Sequence, residues 1–170
     1  RIDLLVSDIY PAGGIPLART NLPDFAFRWD TVSDRGGRTR NPWDATRSAG
    51  GSSGGEAAAL ASGMTPLGLG NDLGGSLRVP SQMCGTAALR PSRGRVAHGA
   101  VTEPWPEPMA IQMTNCQGPM ARRVADVRAS ARLTDSPACL VVGEGETSAH
   151  LERILRAAGH EAPQGKPVLE

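Results

Sequence analysis

Two glycine-flanked serine sites lie 24 residues apart in the chain, Ser52-Ser53 within GGSSGG and Ser76 within LGGSLR. Glycine beside a serine lets the backbone turn tightly and aim consecutive N–H groups at one point. Such a convergence of donors stabilises the oxyanion of an acyl transfer. A serine hydroxyl is a weak nucleophile and needs a base within reach, directly or through a relay. The chemistry suggested is attack by a serine on a carbonyl carbon. The Ala-rich run that follows, EAAALASG, would add the positive end of a helix dipole to the same region.

Other readings of these residues stand beside it. GGSSGG could be a flexible linker, although a helix signal and a second Gly-Gly-Ser adjoin it. Gly51-Ser52-Ser53-Gly54-Gly55 fits the GxSxG elbow, but that motif needs an apolar strand before it and the polar RNPWDATRSA stands there. It also needs a histidine, and nothing marks His98, His150 or His160. Gly68-x-Gly70-x-x-x-Gly74 could be a dinucleotide loop, yet no GK[ST] is present and Pro80 interrupts any helix directly after it. Or the glycines simply permit close packing.

The elements that would position these serines read as follows. Residues 1–10 are apolar-rich, and Ile15 to Leu17 could form a short strand after the Gly13-Gly14 turn. Asn21 to Arg47 reads as a long polar loop. A helix is expected from about Gly54 to Ser62, closed by Gly63 as its C-cap glycine. A short strand in TPLGLG, a turn in NDLGGS and a strand around Ala87–Leu89 follow. Residues 100–110, around Trp105, read as loop, and Arg122–Leu133 as a helix. Cys139 opens a compact strand. Thr147 or Ser148 caps a helix bearing Leu151, Ile154, Leu155 and Ala158, stopped by Gly159. This order predicts an α/β fold, with a mixed β-sheet flanked by helices, a core over 1–135 and a shorter strand-helix segment and tail over 136–170.

Composition narrows the function classes. The chain has 170 residues, of which 39% are apolar and 4% aromatic, with 21 Gly and 14 Pro. That is about one domain, loop-rich and unlike a helical bundle. A net charge of +1 gives no footprint for nucleic acid or a membrane surface. Seventeen of the 18 basic residues are Arg and one is Lys166; arginine keeps its proton, so a neutral amine base has one candidate. Cys84, Cys116 and Cys139 are widely spaced, with no metal-ligand or disulfide pattern, and no cofactor loop survives. The apolar runs fall far short of the ~20 residues of a membrane span, and a cytoplasmic location is expected. Trp29, Trp43 and Trp105 could line a pocket or simply pack. Cys84 reads as a buried thiol, and His98, Asp24 and Glu56 as solvated surface positions.

The stretch 48–96 resembles the signature of the amidase signature family of serine hydrolases. The resemblance is carried by Gly50-Gly51-Ser52-Ser53-Gly54-Gly55, Gly68-Leu69-Gly70, Asp72, Gly74-Gly75-Ser76, Arg78, Pro80, Cys84-Gly85 and Leu89-Arg90-Pro91. It extends to Thr20-Asn21-Leu22-Pro23-Asp24-Phe25, Arg40-Asn41-Pro42-Trp43-Asp44 and Gly118-Pro119-Met120-Ala121-Arg122 with Val124-Ala125-Asp126. Together these span about residues 13–130.

The resemblance implies a serine amidase that cleaves a carboxamide C–N bond with a Ser–cis-Ser–Lys triad. Ser76 would be the acylated nucleophile and Ser52, preceded by a cis peptide bond, the relay. Ser53 would support the network. The N–H groups of Leu73, Gly74, Gly75 and Ser76 would form the oxyanion hole, with Asp72 and Arg78 holding that loop in shape. No metal or cofactor is implied, and the partner is a small-molecule amide. The family's lysine lies upstream of the Thr-Asn-Leu-Pro segment, where this chain has none. Val6-Ser7-Asp8 can be aligned with the family's Val-Lys-Asp, which would place Ser7 at the lysine; the preferred match sets Asp3–Ala12 on the helix before the Gly-Ile-Pro-Leu strand, with the lysine segment missing. Lys166 has no family counterpart. The expectation is therefore a truncated member, needing a homo-oligomer or a complementing chain, or else a catalytically inactive remnant that only binds. A tRNA-dependent amidotransferase subunit would carry Thr-Tyr-Gly-Arg-Val-Ser after Leu89-Arg90-Pro91; Ser92-Arg93-Gly94-Arg95-Val96-Ala97 stands here.

Overall fold

A computed structural model describes residues 14–96, 101–102, 105–106 and 108–134. In chain order these form strand β1 (Val32–Ser33) and strand β2 (Gly37–Arg38), then helix α1 (Gly54–Ala61) and strand β3 (Leu67–Asp72). Helix α2 (Arg78–Cys84), strand β4 (Ala87–Ala88), the short strands β5 (Val101–Thr102) and β6 (Trp105–Pro106), and helix α3 (Met109–Thr114) come next. Strand β7 (Cys116–Ala121) and helix α4 (Val124–Thr134) complete it. The expected strand at Cys139, the helix from Thr147 or Ser148 to Gly159, and Lys166 lie outside the described residues.

The central sheet has the order β3-β7-β4. Leu67 to Asp72 pairs antiparallel with Ala121 to Cys116, and Ala87-Ala88 with Ala121-Met120. Every residue of β7 is buried, so both of its faces are covered. Because side chains alternate along a strand, neighbouring residues report on opposite faces. Met120 packs into the core cluster with Ala49, Ala57, Leu60, Leu77 and Cys84, which places α1 and α2 on one side. Pro119 lines a small cavity together with Leu89, Val96 and Ala131 of α4, which places α4 on the other. The architecture is thus α/β, a sheet flanked by helices, with antiparallel ladders among the described residues.

Helix α1 follows from its composition: alanines favour the helix, and Gly63 (φ +77°) ends it in the left-handed region that glycine tolerates. Four readings of the sequence need correction. Asn21 to Arg47 is not all loop, because β1 pairs with β2 within it. Ile15 and Leu17 form no strand and are exposed, since no strand among the described residues pairs with them. Residues 100–110 are not all loop, because β5 pairs with β6 there. Pro80 does not prevent a helix after the Gly74-Gly75 turn: it occupies the first turn of α2, where its ring has no preceding helical turn to clash with.

A seven-residue helix such as α2 is marginal by itself, and its ends are held by distant side chains. At its C-terminus the Asn41 amide donates to the Met83 carbonyl at 2.7 Å and the Trp43 indole N–H to the Cys84 carbonyl at 2.7 Å. Strand β7 is equally hard to read from sequence, because Pro119 argues against a central strand. The structure tolerates it because β4 ends at Ala88, while the Pro119 carbonyl still accepts the Leu89 N–H at 3.0 Å.

Candidate active site

Ser52 and Ser53 lie in the loop entering α1, both 2% exposed, and Ser76 lies in the turn between β3 and α2, 7% exposed. The two segments meet through the backbone: the Ser53 N–H donates to the Ser76 carbonyl at 3.2 Å. The Gly51–Ser52 peptide bond is cis. None of the three hydroxyls is engaged in a hydrogen bond with another described residue.

Close backbone packing brings these segments together. An added Cβ at Gly70 of β3 would lie 2.6 Å from the Ser53 Oγ and 2.9 Å from a Leu77 methyl. One at Gly51 would press on the backbone of Arg28 to Asp30, and one at Gly55 on the backbone of Asn21. Gly68 and Gly70 are therefore packing glycines in a strand under α1, which disposes of the dinucleotide-loop reading.

The α1 N-terminus is capped from a distance. Ser53, at the N-cap position, makes no side-chain cap hydrogen bond. Thr31, fully buried, takes that role: its hydroxyl accepts the Gly54 N–H at 3.2 Å and donates to the Gly50 carbonyl at 2.8 Å. Its own N–H donates to the same carbonyl at 3.1 Å. Thr31 thus clamps the loop that carries Ser52 and Ser53. No local motif announces it, since its partners lie about 20 residues on.

Asp72 organises the Ser76 turn. Its side chain is completely buried, and its carboxylate accepts the N–H groups of Gly75 at 2.8 Å and Leu77 at 3.2 Å. Arg78 grips both oxygens, Nε at 3.0 Å and a terminal nitrogen at 2.9 Å, and Arg90 Nε stands 3.4 Å away. Burial pushes the Asp72 carboxyl up, but the Arg78 hydrogen bonds and the Gly75 and Leu77 N–H groups outweigh it and hold the carboxyl below its ordinary value. The Gly75 N–H is thereby committed to Asp72. Gly75 is one of the residues whose N–H was expected to face an oxyanion, and here that N–H donates to Asp72. Gly75 has φ +123°, a conformation that requires glycine.

Several residues differ from their expected surface roles. Glu56 is half-buried: it accepts the Thr20 hydroxyl at 2.7 Å and the Leu69 N–H, and burial raises its carboxyl above the usual range. Cys84 is buried, as expected; its thiol contacts the Ala49 carbonyl at 3.3 Å, and burial pushes it up to about 11. The Trp29 indole nitrogen lies beside Gly75, whereas Trp43 serves α2. His98, His150 and His160 lie outside the described residues. Among the described residues no group of His, Cys, Asp and Glu could hold a metal ion, and no helix is long and apolar enough to cross a membrane.

A protein-family model described as Amidase matches residues 3–138. The chain is 43% identical to an indoleacetamide hydrolase of Bradyrhizobium diazoefficiens over 126 residues, covering 73% of this chain and 24% of the relative. Among solved structures, it superposes on 6-aminohexanoate cyclic dimer hydrolase with TM-score 0.72 at 31% identity, over 97% of this chain and 30% of that one. The peptide amidase of Stenotrophomonas maltophilia gives TM-score 0.70 at 30% identity, over 85% of this chain and 30% of that chain. The chain therefore spans about a quarter of the length of the indoleacetamide hydrolase it matches.

Proposed function

The chain belongs to the amidase family, and from that premise we propose that it carries the serine centre of an amidase cleaving a carboxamide C–N bond through an acyl-enzyme at Ser76. The observation that carries this reading is the Ser53 N–H bond to the Ser76 carbonyl, which sets two buried serine turns from distant parts of the chain against each other. Ser76 Oγ attacks the amide carbon while its proton passes through the Ser52 hydroxyl to a base. The tetrahedral oxyanion faces the N–H groups of Leu73, Gly74 and Ser76. The C–N bond then breaks, the leaving nitrogen takes the proton, and water hydrolyses the Ser76 ester to a carboxylic acid.

A hydroxyl relay passes a proton on without retaining it, so the base must come from elsewhere. Residues 14–134 contain no lysine. The base in this proposal is a lysine contributed by another segment or by a complementing chain, and the partners are a small-molecule amide and that chain.

Fluorophosphonate labelling with mapping by mass spectrometry tests the reading without a known substrate. Adduct at Ser76 that disappears in Ser76→Ala supports it. A folded chain that gives no adduct, alone or with an added lysine-bearing amidase segment, overturns it.

A further inference from the structure

In a regular helix the N–H of residue 80 would close on the carbonyl of residue 76. The flanking rungs are present: Val79 N–H bonds the Gly75 carbonyl at 2.7 Å and Ser81 N–H the Leu77 carbonyl at 3.3 Å. The rung between them is missing because proline has no N–H. The Ser76 carbonyl accepts the Ser53 N–H at 3.2 Å instead. Ser53 stands at the start of α1, where backbone donors have no partner within their own helix, so this acceptor must come from outside. Pro80 is also fully buried against the other serine loop: a Cβ on Gly50 would lie 2.7 Å from the Pro80 Cα and 3.0 Å from its nitrogen.

We propose that Pro80 is a positioning residue: by withholding one hydrogen bond of α2 it dedicates the Ser76 carbonyl to the Ser53 N–H and so sets the two serine segments in register. Its catalytic meaning rests on the reading of Ser76 and Ser52 given above; the backbone pin does not.

The test is amide hydrogen exchange by NMR on the wild-type chain, on Pro80→Ala, and on a chain with L-lactic acid in place of Pro80. Alanine restores the competing N–H. The lactate ester lacks both the N–H and the ring. Exchange at Ser53 is expected to quicken roughly fivefold or more in Pro80→Ala, the effect of one ordinary hydrogen bond, relative to the Ala57 and Leu60 amides of the same helix. The lactate chain is expected to keep the wild-type rate. The rate of Ser76 labelling should follow the same order, with lactate rescuing what alanine loses. Unchanged Ser53 exchange in Pro80→Ala, or equal acceleration in both variants, overturns the proposal. If alanine unfolds the chain and lactate does not, the restored N–H is the cause, as proposed. If both unfold it, ring packing governs and the proposal falls. Because exchange requires no turnover, a wild-type chain that fails to label counts against the functional reading alone.

Discussion

The N–H of Ser53 donates to the carbonyl of Ser76 at 3.2 Å, and through this bond the loop entering one helix is tied to the turn entering another. Neither segment is stiff by composition, since both are rich in glycine. Their order comes from what surrounds them: Thr31 on one side, Asp72 on the other, and the glycines of β3 beneath. Each support makes a measurable expectation.

Asp72 is a buried carboxylate with its hydrogen bonds filled by Gly75, Leu77 and Arg78. Asp72→Ala leaves those donors without a partner and is expected to cost about 3 kcal/mol in urea unfolding, within the range for breaking a buried pair. Arg78→Ala should lose much less, because its side chain is 57% exposed and water replaces the contact. Equal losses would mean that the ion pair, rather than the turn, is what Asp72 supports.

Thr31→Val keeps the shape of the side chain and removes the hydroxyl that caps Gly54. An unpartnered buried N–H should lower stability by about 1–3 kcal/mol. Thr31→Ser should recover most of it. Chemical denaturation of the three chains decides the matter, and a Val variant as stable as wild type would show the cap to be dispensable.

Gly70→Ala places a methyl group 2.6 Å from the Ser53 Oγ and 2.9 Å from Leu77. Overpacking of this kind costs about 1–3 kcal/mol, and here the displaced group is a serine of the candidate centre. The expected result is loss of Ser76 labelling by a fluorophosphonate in a chain that remains folded by circular dichroism.

Glu56 carries a pH signature opposite in sign to that of Asp72. Its carboxyl is raised in the folded chain by burial, so its favourable contribution is present below the unfolded value near 4.5 and is lost as pH rises through the folded value. Asp72, held below its ordinary value, contributes above the unfolded value and loses that contribution as pH falls through the folded one. Relative to wild type, Glu56→Gln should therefore gain stability between pH 4 and pH 7. Parallel stability–pH curves for the two chains would refute this.

The helix α1, the strand β3 and the helix α4 were legible in the residues alone, because alanine content, apolar runs and glycine stops are local properties. The serine positions were legible from their glycines and from the family resemblance. Helix α2 was not: Pro80 argues against it locally, and its supports, Asp72, Asn41 and Trp43, act across the fold. Strand β7 hid behind Gly118-Pro119 because its tolerance for proline depends on where β4 ends. Thr31 as a cap, Glu56 as a buried acceptor and the commitment of the Gly75 N–H to Asp72 also needed the folded chain. Sequence by itself determined which backbone could turn and which hydroxyls were present. Tertiary structure decided which donor meets which acceptor, because a hydrogen bond is satisfied by proximity in space and the partners here are separated along the chain.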